Sequence, residues 1–188
     1  MKNDDFSADY YRMTGNKLTF WGGIKTYFFS HNIRFMYWWR KRNMSSKNPI
    51  VKIMCYRLSK KYGLEIGNCK IGSGLYLGHP YNITVNQNAV IGRNVNLHKG
   101  VTIGNINVGK RRGCPVIGDN VWIGINSTVV GGIIIGNDVV IAPNAFVNFD
   151  VPDHSVVVGN PGVIHHKENA AFGYIGFTDY ARKNDDDT

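Results

Sequence analysis

The sequence predicts an all-β body, a parallel β-helix, preceded by a short α-helical segment, and three observations lead to it. Ile117, Ile123, Val129, Ile135, Ile141 and Val147 fall on one unbroken six-residue register. The position four residues after each anchor is mostly apolar or small again, as in Val121, Ser127, Ile133, Val139 and Ala145. Gly118, Gly124 and Gly136 directly follow their anchors, and Asn120, Asn126, Asn137 and Asn144 recur nearby. These residue types tolerate positive φ or bond their own backbone at a corner. A helix repeats every 3.6 residues and a half-buried strand every two, so neither accounts for a sustained period of six. One short strand plus one turn does. Three such units close a coil of about 18 residues, and stacked coils pair each strand with its equivalents above and below around a column of aliphatic anchors.

Upstream, Ile71, Leu77 and Ile83 form one run on the same period, and Ile91, Leu97 and Ile103 form another, so the body spans residues 63–166. Two interruptions carry information. Between Ile83 and Ile91 the register slips by two residues, which reads as a corner insertion that stacks Leu77 on Leu97. Between Ile103 and Ile117 the segment GNINVGKRRGCP is too polar and glycine-rich for a buried coil, so residues 104–115 project as a loop, where rigid scaffolds tend to carry sites.

Residues 1–62 form a separate helical segment of unusual charge. Between Tyr10 and Leu64 there are twelve Lys or Arg residues and no Asp or Glu, whereas the whole chain has a net charge of +9. The basic residues interleave with Phe28, Phe29, Phe35, Tyr37, Trp38 and Trp39. Two readings stand: a helical cap whose aromatics pack on the body, or peripheral contact of residues 25–61 with an anionic membrane surface. Nucleic acid is not expected as a partner. No apolar run reaches the roughly 18–20 residues of a membrane span. Three cysteines at irregular spacing make neither a disulfide framework nor a thiolate metal site, so the expected setting is cytoplasmic, including the inner membrane face. Residues 167–188 read as a tail, ending in Asp185, Asp186 and Asp187, without legible chemistry.

From about Leu64 to Ile164 the residues resemble the hexapeptide-repeat acyltransferases, in particular serine acetyltransferases and their shorter relatives in polysaccharide biosynthesis. The segments that carry the resemblance are LGHP, AVIGRNVNLHKGVTIG, the loop ending in Pro115, VIGDNVWIG and DVPDHSVVVGNPGVI. The resemblance implies a left-handed β-helix, a homotrimer with active sites between adjacent subunits, and acetyl-CoA lying along the groove. It places His79 as the general base that deprotonates an acceptor hydroxyl, chemistry that imidazole can perform near neutral pH. His98, on the next coil, is a second candidate at the same edge. Matching positions give Gly104, Asn105, Ile125, Pro143 and Pro161 to the acetyl-CoA groove, with Lys110 and Arg111 offering cations to its phosphates. Tyr81, Asn82, Cys114 and Trp122 are expected at the acceptor. No metal is expected.

Departures from the family pattern bear on the acceptor. Where serine acetyltransferases carry an aspartate before the histidine and an Arg-His pair before the loop proline, this chain has Gly78, Gly113 and Cys114. The aspartate that orients the family's histidine corresponds to Leu64, with Glu65 adjacent. An emptied clamp beside a retained base suggests a sugar or polysaccharide hydroxyl, of capsule, exopolysaccharide or O-antigen type, over the alternative of serine O-acetylation. A Cys114 acyl-enzyme and a zinc hydratase on the same coils are competing chemistries.

Overall fold

The computed structural model describes residues 4–43 and 47–178. Four helices come first: α1 (Asp4–Thr14), α2 (Phe20–Phe29), α3 (His31–Asn43) and α4 (Pro49–Tyr62). Asn48 caps α4 by accepting from the Ile50 amide, Pro49 opens it, and Gly63, at φ 65°, ends it and turns the chain into the first strand.

Fifteen short strands follow among the described residues, wound into three sheets. The first sheet stacks β1 (Leu64–Ile66), β4 (Ile83–Val85), β7 (Thr102–Gly104), β10 (Thr128–Val130) and β13 (Phe146–Val147). The second stacks β2 (Lys70–Ile71), β5 (Val90–Ile91), β8 (Val116–Ile117) and β11 (Ile134–Ile135). The third stacks β3 (Tyr76–Gly78), β6 (Asn96–His98), β9 (Val121–Ile123), β12 (Val139–Ile141), β14 (Ser155–Val158) and β15 (Val163–His166). Every pair is parallel except β14 with β15. The chain is therefore a parallel β-helix, as the six-residue period predicts.

Register explains the interruptions. In the regular part Val116 pairs with Ile134 and Trp122 with Val140, one 18-residue coil apart. Leu77 pairs with Leu97, two residues longer, and the surplus is taken up at the corner where Asn86 accepts from the Asn88 amide. Thr102 pairs with Thr128 because the loop lengthens that coil. The anchors Leu77, Leu97, Ile103, Ile117, Ile123, Val129, Ile135, Ile141 and Val147 are buried in one continuous core. Burial of such side chains contributes roughly 1.5–3 kcal/mol each. Asn94, Asn120, Asn126 and Asn144 occupy positive φ at the corners.

The helices close the open end of the first coil. Trp39, fully buried, donates from Nε1 to the Ile66 carbonyl at 3.2 Å. Arg40 and Asp9 form a buried ion pair at 2.7 Å; Arg40 also donates to Ile71 and Gly72 carbonyls, and Asp9 accepts from the Leu75 amide. The aromatics of α3 thus pack on the body, with Phe35, Met36 and Trp39 at or near zero exposure, which removes α3 from the membrane reading of residues 25–61. Helix α2, by contrast, buries no residue. No helix among the described residues is long and apolar enough to cross a membrane.

Residues 167–178 fold back over the third sheet. Ala170 and Ala171 are buried against Val140, and their amides both donate to Asp138. Arg12 on α1 holds the far end through the Gly176 carbonyl. The acidic run Asp185–Asp187 lies outside the described residues.

Candidate active site

The site begins at the corner between the third and first sheets. β3 ends at Gly78, and His79 leaves it at φ 47°, exposed, before the turn Pro80–Asn82 leads into β4. Its positive φ takes His79 out of the strand conformation and makes it the first residue of the corner. Among the described residues its side chain has no hydrogen-bond or ion-pair partner. Leu64, at the position of the family's orienting aspartate, is buried in the core, while Glu65 sits exposed on β1 opposite Thr84.

His98 is brought to this corner by register: it lies directly opposite Gly78. Its ring packs 4.8 Å from Trp122 and 6.1 Å from Tyr76, centroid to centroid. Its Nε2 is buried without a partner among the described residues. Burial first, and the charge of His79 second, hold the His98 imidazole below its usual range, so it stays neutral near pH 7. The contact with Gly78 is tight: a Cβ at position 78 would meet His98 Nδ1 at 2.4 Å.

Backbone hydrogen bonds stack further coils on the same corner. Gly100 donates to the Tyr81 carbonyl, Asn126 to Lys99, and Asn144 to Ile125. His79, Tyr81, Asn82, Ile125 and Pro143 therefore lie along one edge, with Ile125 and Pro143 exposed above His79. This edge is a continuous ledge of corner residues, suited to an extended ligand bound by main-chain groups. Pro161 lies at its upper end, where Phe146 donates to Gly159 and accepts from Gly162.

The remaining predicted residues lie elsewhere. Gly104 and Asn105 close β7 at the far side of the first sheet, where Asn86 donates to Asn105 Oδ1 at 3.1 Å and Cys114 Sγ lies 3.3 Å from Asn86 Oδ1. Residues 104–115 do project, as a small hairpin bridged by Ile106 and Gly113 and braced by the Gly132 amide on the Arg111 carbonyl. Lys110 and Arg111 are exposed at its tip. Burial pushes the Cys114 thiol up, the reverse of an activated nucleophile.

Trp122 faces outward from β9, between His98 on one side and Tyr174 on the other, at 5.0 Å. Three residues that sequence reasoning did not single out also sit here. Tyr76 and Tyr174 flank the His98–Trp122 pair, and Asn96, buried beneath, donates to the Tyr174 carbonyl at 3.2 Å. The outward alternation of Tyr76, Asn96 and Trp122 on paired strands was the available signal. His31 from α3 adds a further ring, 5.1 Å from Tyr81 and 4.7 Å from Tyr62. No group of three His, Cys, Asp or Glu side chains suited to a metal ion occurs among the described residues.

The family described as bacterial transferase hexapeptide (six repeats) matches residues 114–148. The chain is 37% identical over 122 residues to a serine acetyltransferase of Staphylococcus epidermidis, covering 64% of this chain and 57% of that protein. It is 39% identical over 108 residues to serine acetyltransferase 2 of Arabidopsis thaliana, covering 56% of this chain and 33% of that one. The chain thus spans little more than half the length of the first and a third of the second. Among solved structures, the serine acetyltransferase of Neisseria gonorrhoeae in complex with serine superposes with a TM-score of 0.67 at 28% identity, over 86% of this chain and 66% of that one. The protein is a hexapeptide-repeat β-helix similar in sequence and fold to serine acetyltransferases.

Proposed function

We propose that this chain is an acetyl-CoA-dependent O-acetyltransferase in which His79 is the general base. The observation that carries the proposal is the corner ledge. An exposed imidazole without a hydrogen-bond partner among the described residues stands at its foot, and Ile125 and Pro143 lie exposed above it on successive coils. His79 accepts the proton of an acceptor hydroxyl as that oxygen attacks the thioester carbonyl, and returns it to the departing thiolate. Corner amides hold the developing oxyanion. His98, kept neutral by burial, walls the acceptor side with Trp122 and offers an uncharged hydrogen-bonding group there. Lys110 and Arg111, at the far side of the first sheet, attract the phosphates of a donor bound on the adjacent subunit's ledge. A homotrimer with sites between subunits completes the groove in this reading.

The names of the similar proteins support serine as the acceptor. One specific observation favours a second reading, a sugar hydroxyl. With His98 in place, position 78 has no room for the carboxylate of a serine clamp, and Cys114, which in this reading faces the acceptor from the adjacent subunit, holds a thiol against Asn86 in place of the clamp's cation. Labelled acetyl-CoA offered with serine and with a saccharide panel decides between them. Efficient acetylation of serine with the sugars untouched removes the sugar reading; acetylated sugar with inert serine removes the other.

A further inference from the structure

Helix α2 is held in place without being buried. Its C-terminal carbonyls at Tyr27 and Phe28 accept from Arg34, Trp38 Nε1 donates to the Tyr27 hydroxyl at 2.8 Å, and Thr19 caps its N-terminus through the Gly22 amide. These polar clamps fix a helix that contains Gly22 and Gly23, both poor helix formers. Its large apolar side chains point to solvent: Phe20, Trp21, Phe28 and Phe29 are 75, 76, 66 and 86% exposed. Phe20, Ile24 and Phe28 follow at i, i+4 and i+8 along one face, and Trp21, Lys25 and Phe29 form the adjoining row. An apolar groove of about 750 Å³, lined by Phe6, Leu18, Tyr27, Ile33 and Trp38, continues this face inward toward α1 and α3.

We infer that α2 is a docking helix for an anionic lipid bilayer, inserting Phe20, Trp21, Ile24 and Phe28 at the headgroup–acyl boundary. Charge selects this occupant. Of the twelve cations between residues 10 and 64, Arg12 and Arg40 are buried, while Lys25 on α2 and Lys47, Lys52, Arg57, Lys60 and Lys61 beyond it are exposed with no anion among them, so a second copy of the same segment would oppose like charge to like, whereas an anionic leaflet brings the complement. A nucleic acid would meet the cations yet leave the apolar rows in water. A bilayer satisfies both, with Lys25 at headgroup level and an acyl chain free to enter the groove.

The test is sedimentation of the full chain with phosphatidylcholine vesicles, with and without about one-third phosphatidylserine, for wild type and for a variant combining Phe20→Ser, Trp21→Ser and Phe28→Ser. The wild type binds the anionic vesicles, the neutral ones bind far less, and the variant loses roughly tenfold or more in partitioning while keeping its melting transition. A blue shift and quenching of wild-type tryptophan fluorescence by brominated lipid accompany binding. Three results overturn the inference: a folded wild type that ignores anionic vesicles, a variant that binds as well as wild type, or concentration-dependent self-association that the serines abolish in the absence of any vesicle binding.

Discussion

The coils and the helices of this chain are held by different means. Each coil is buried by its neighbours: Leu97 meets Leu77 below and Ile123 above, and the corner amides of Gly100, Asn126 and Asn144 donate to carbonyls of the preceding coil. Stability there is largely a sum over stacked neighbours, as in other solenoids. The helical segment has no such repetition. It is fastened to the first coil by unlike contacts: Trp39, hydrogen bonds from Arg12, Arg42 and Asn43 to the Gly74, Ile66 and Cys69 carbonyls, and one buried ion pair, Asp9 with Arg40, whose partners also satisfy Ile71, Gly72 and Leu75. Damage should therefore spread differently: outward from that buried pair in the helices, where its two partners tie α1 and α3 to the coil, and locally in the coils.

The largest effect is expected at that fastening. Burial pushes the Asp9 carboxyl up against the opposing pull of Arg40, so Arg40→Ala leaves a fully buried acid without its counter-charge, at a cost of about 3–5 kcal/mol. Hydrogen exchange should show the helices losing protection before the coils do; coils lost simultaneously would dissolve the distinction. Within the column, Ile123→Ala costs about 3 kcal/mol, and its exchange signature stays on neighbouring coils. At a corner, Gly100→Ala places a Cβ 2.0 Å from Asn126 Oδ1 at φ 75°, for about 1–3 kcal/mol by chemical denaturation.

Acidification sharpens the comparison from a different side. The unfolded chain protonates His98 near its ordinary value of 6.5, while the folded chain does so only at lower pH. The stability is thus present above about pH 6.5 and falls as pH drops through it, because the unfolded state then binds more protons. His31, lowered by burial and by the charges of Arg34 and Lys61, adds the same sign at the helical end. A melting temperature that declines from about pH 7.5 to about pH 5.5, less steeply in His98→Gln, meets this expectation. The smallest effect is on α2, where Phe20→Ser changes stability by no more than about 0.5 kcal/mol, since that side chain is 75% exposed.

The same contrast governs what could be read from residue order. A hexad states its own strand, turn and inward side chain, so the coils, the two-residue corner insertion and the projecting loop are all legible. So was the approach of His79 to His98, through the stacking of Leu77 on Leu97. The helices were legible only as composition. Phe28 and Phe35 belong to equally aromatic stretches, yet one is exposed and the other buried, because a buried pair thirty-one residues apart, Asp9 with Arg40, decides which face meets the body. The fold-back of residues 167–178 was hidden for a similar reason. Its small residues Ala170 and Ala171 show no period, and its seat is an aspartate, Asp138, that accepts their amides and pairs with His154. Trp122 was expected as a pocket wall; that Tyr174 forms its other side follows from this distant contact.

The role proposed for His79 is to deprotonate an acceptor hydroxyl for acetyl transfer. The most direct measurement compares ester formation from labelled acetyl-CoA by wild type and His79→Ala, across serine and saccharide acceptors, with the melting transition of both recorded alongside. The account predicts an acetyl ester from the wild type and a loss of roughly 10²–10⁴-fold in turnover for a variant that melts at the same temperature. Undiminished turnover in the variant, or a folded wild type that esterifies no hydroxyl, would contradict it.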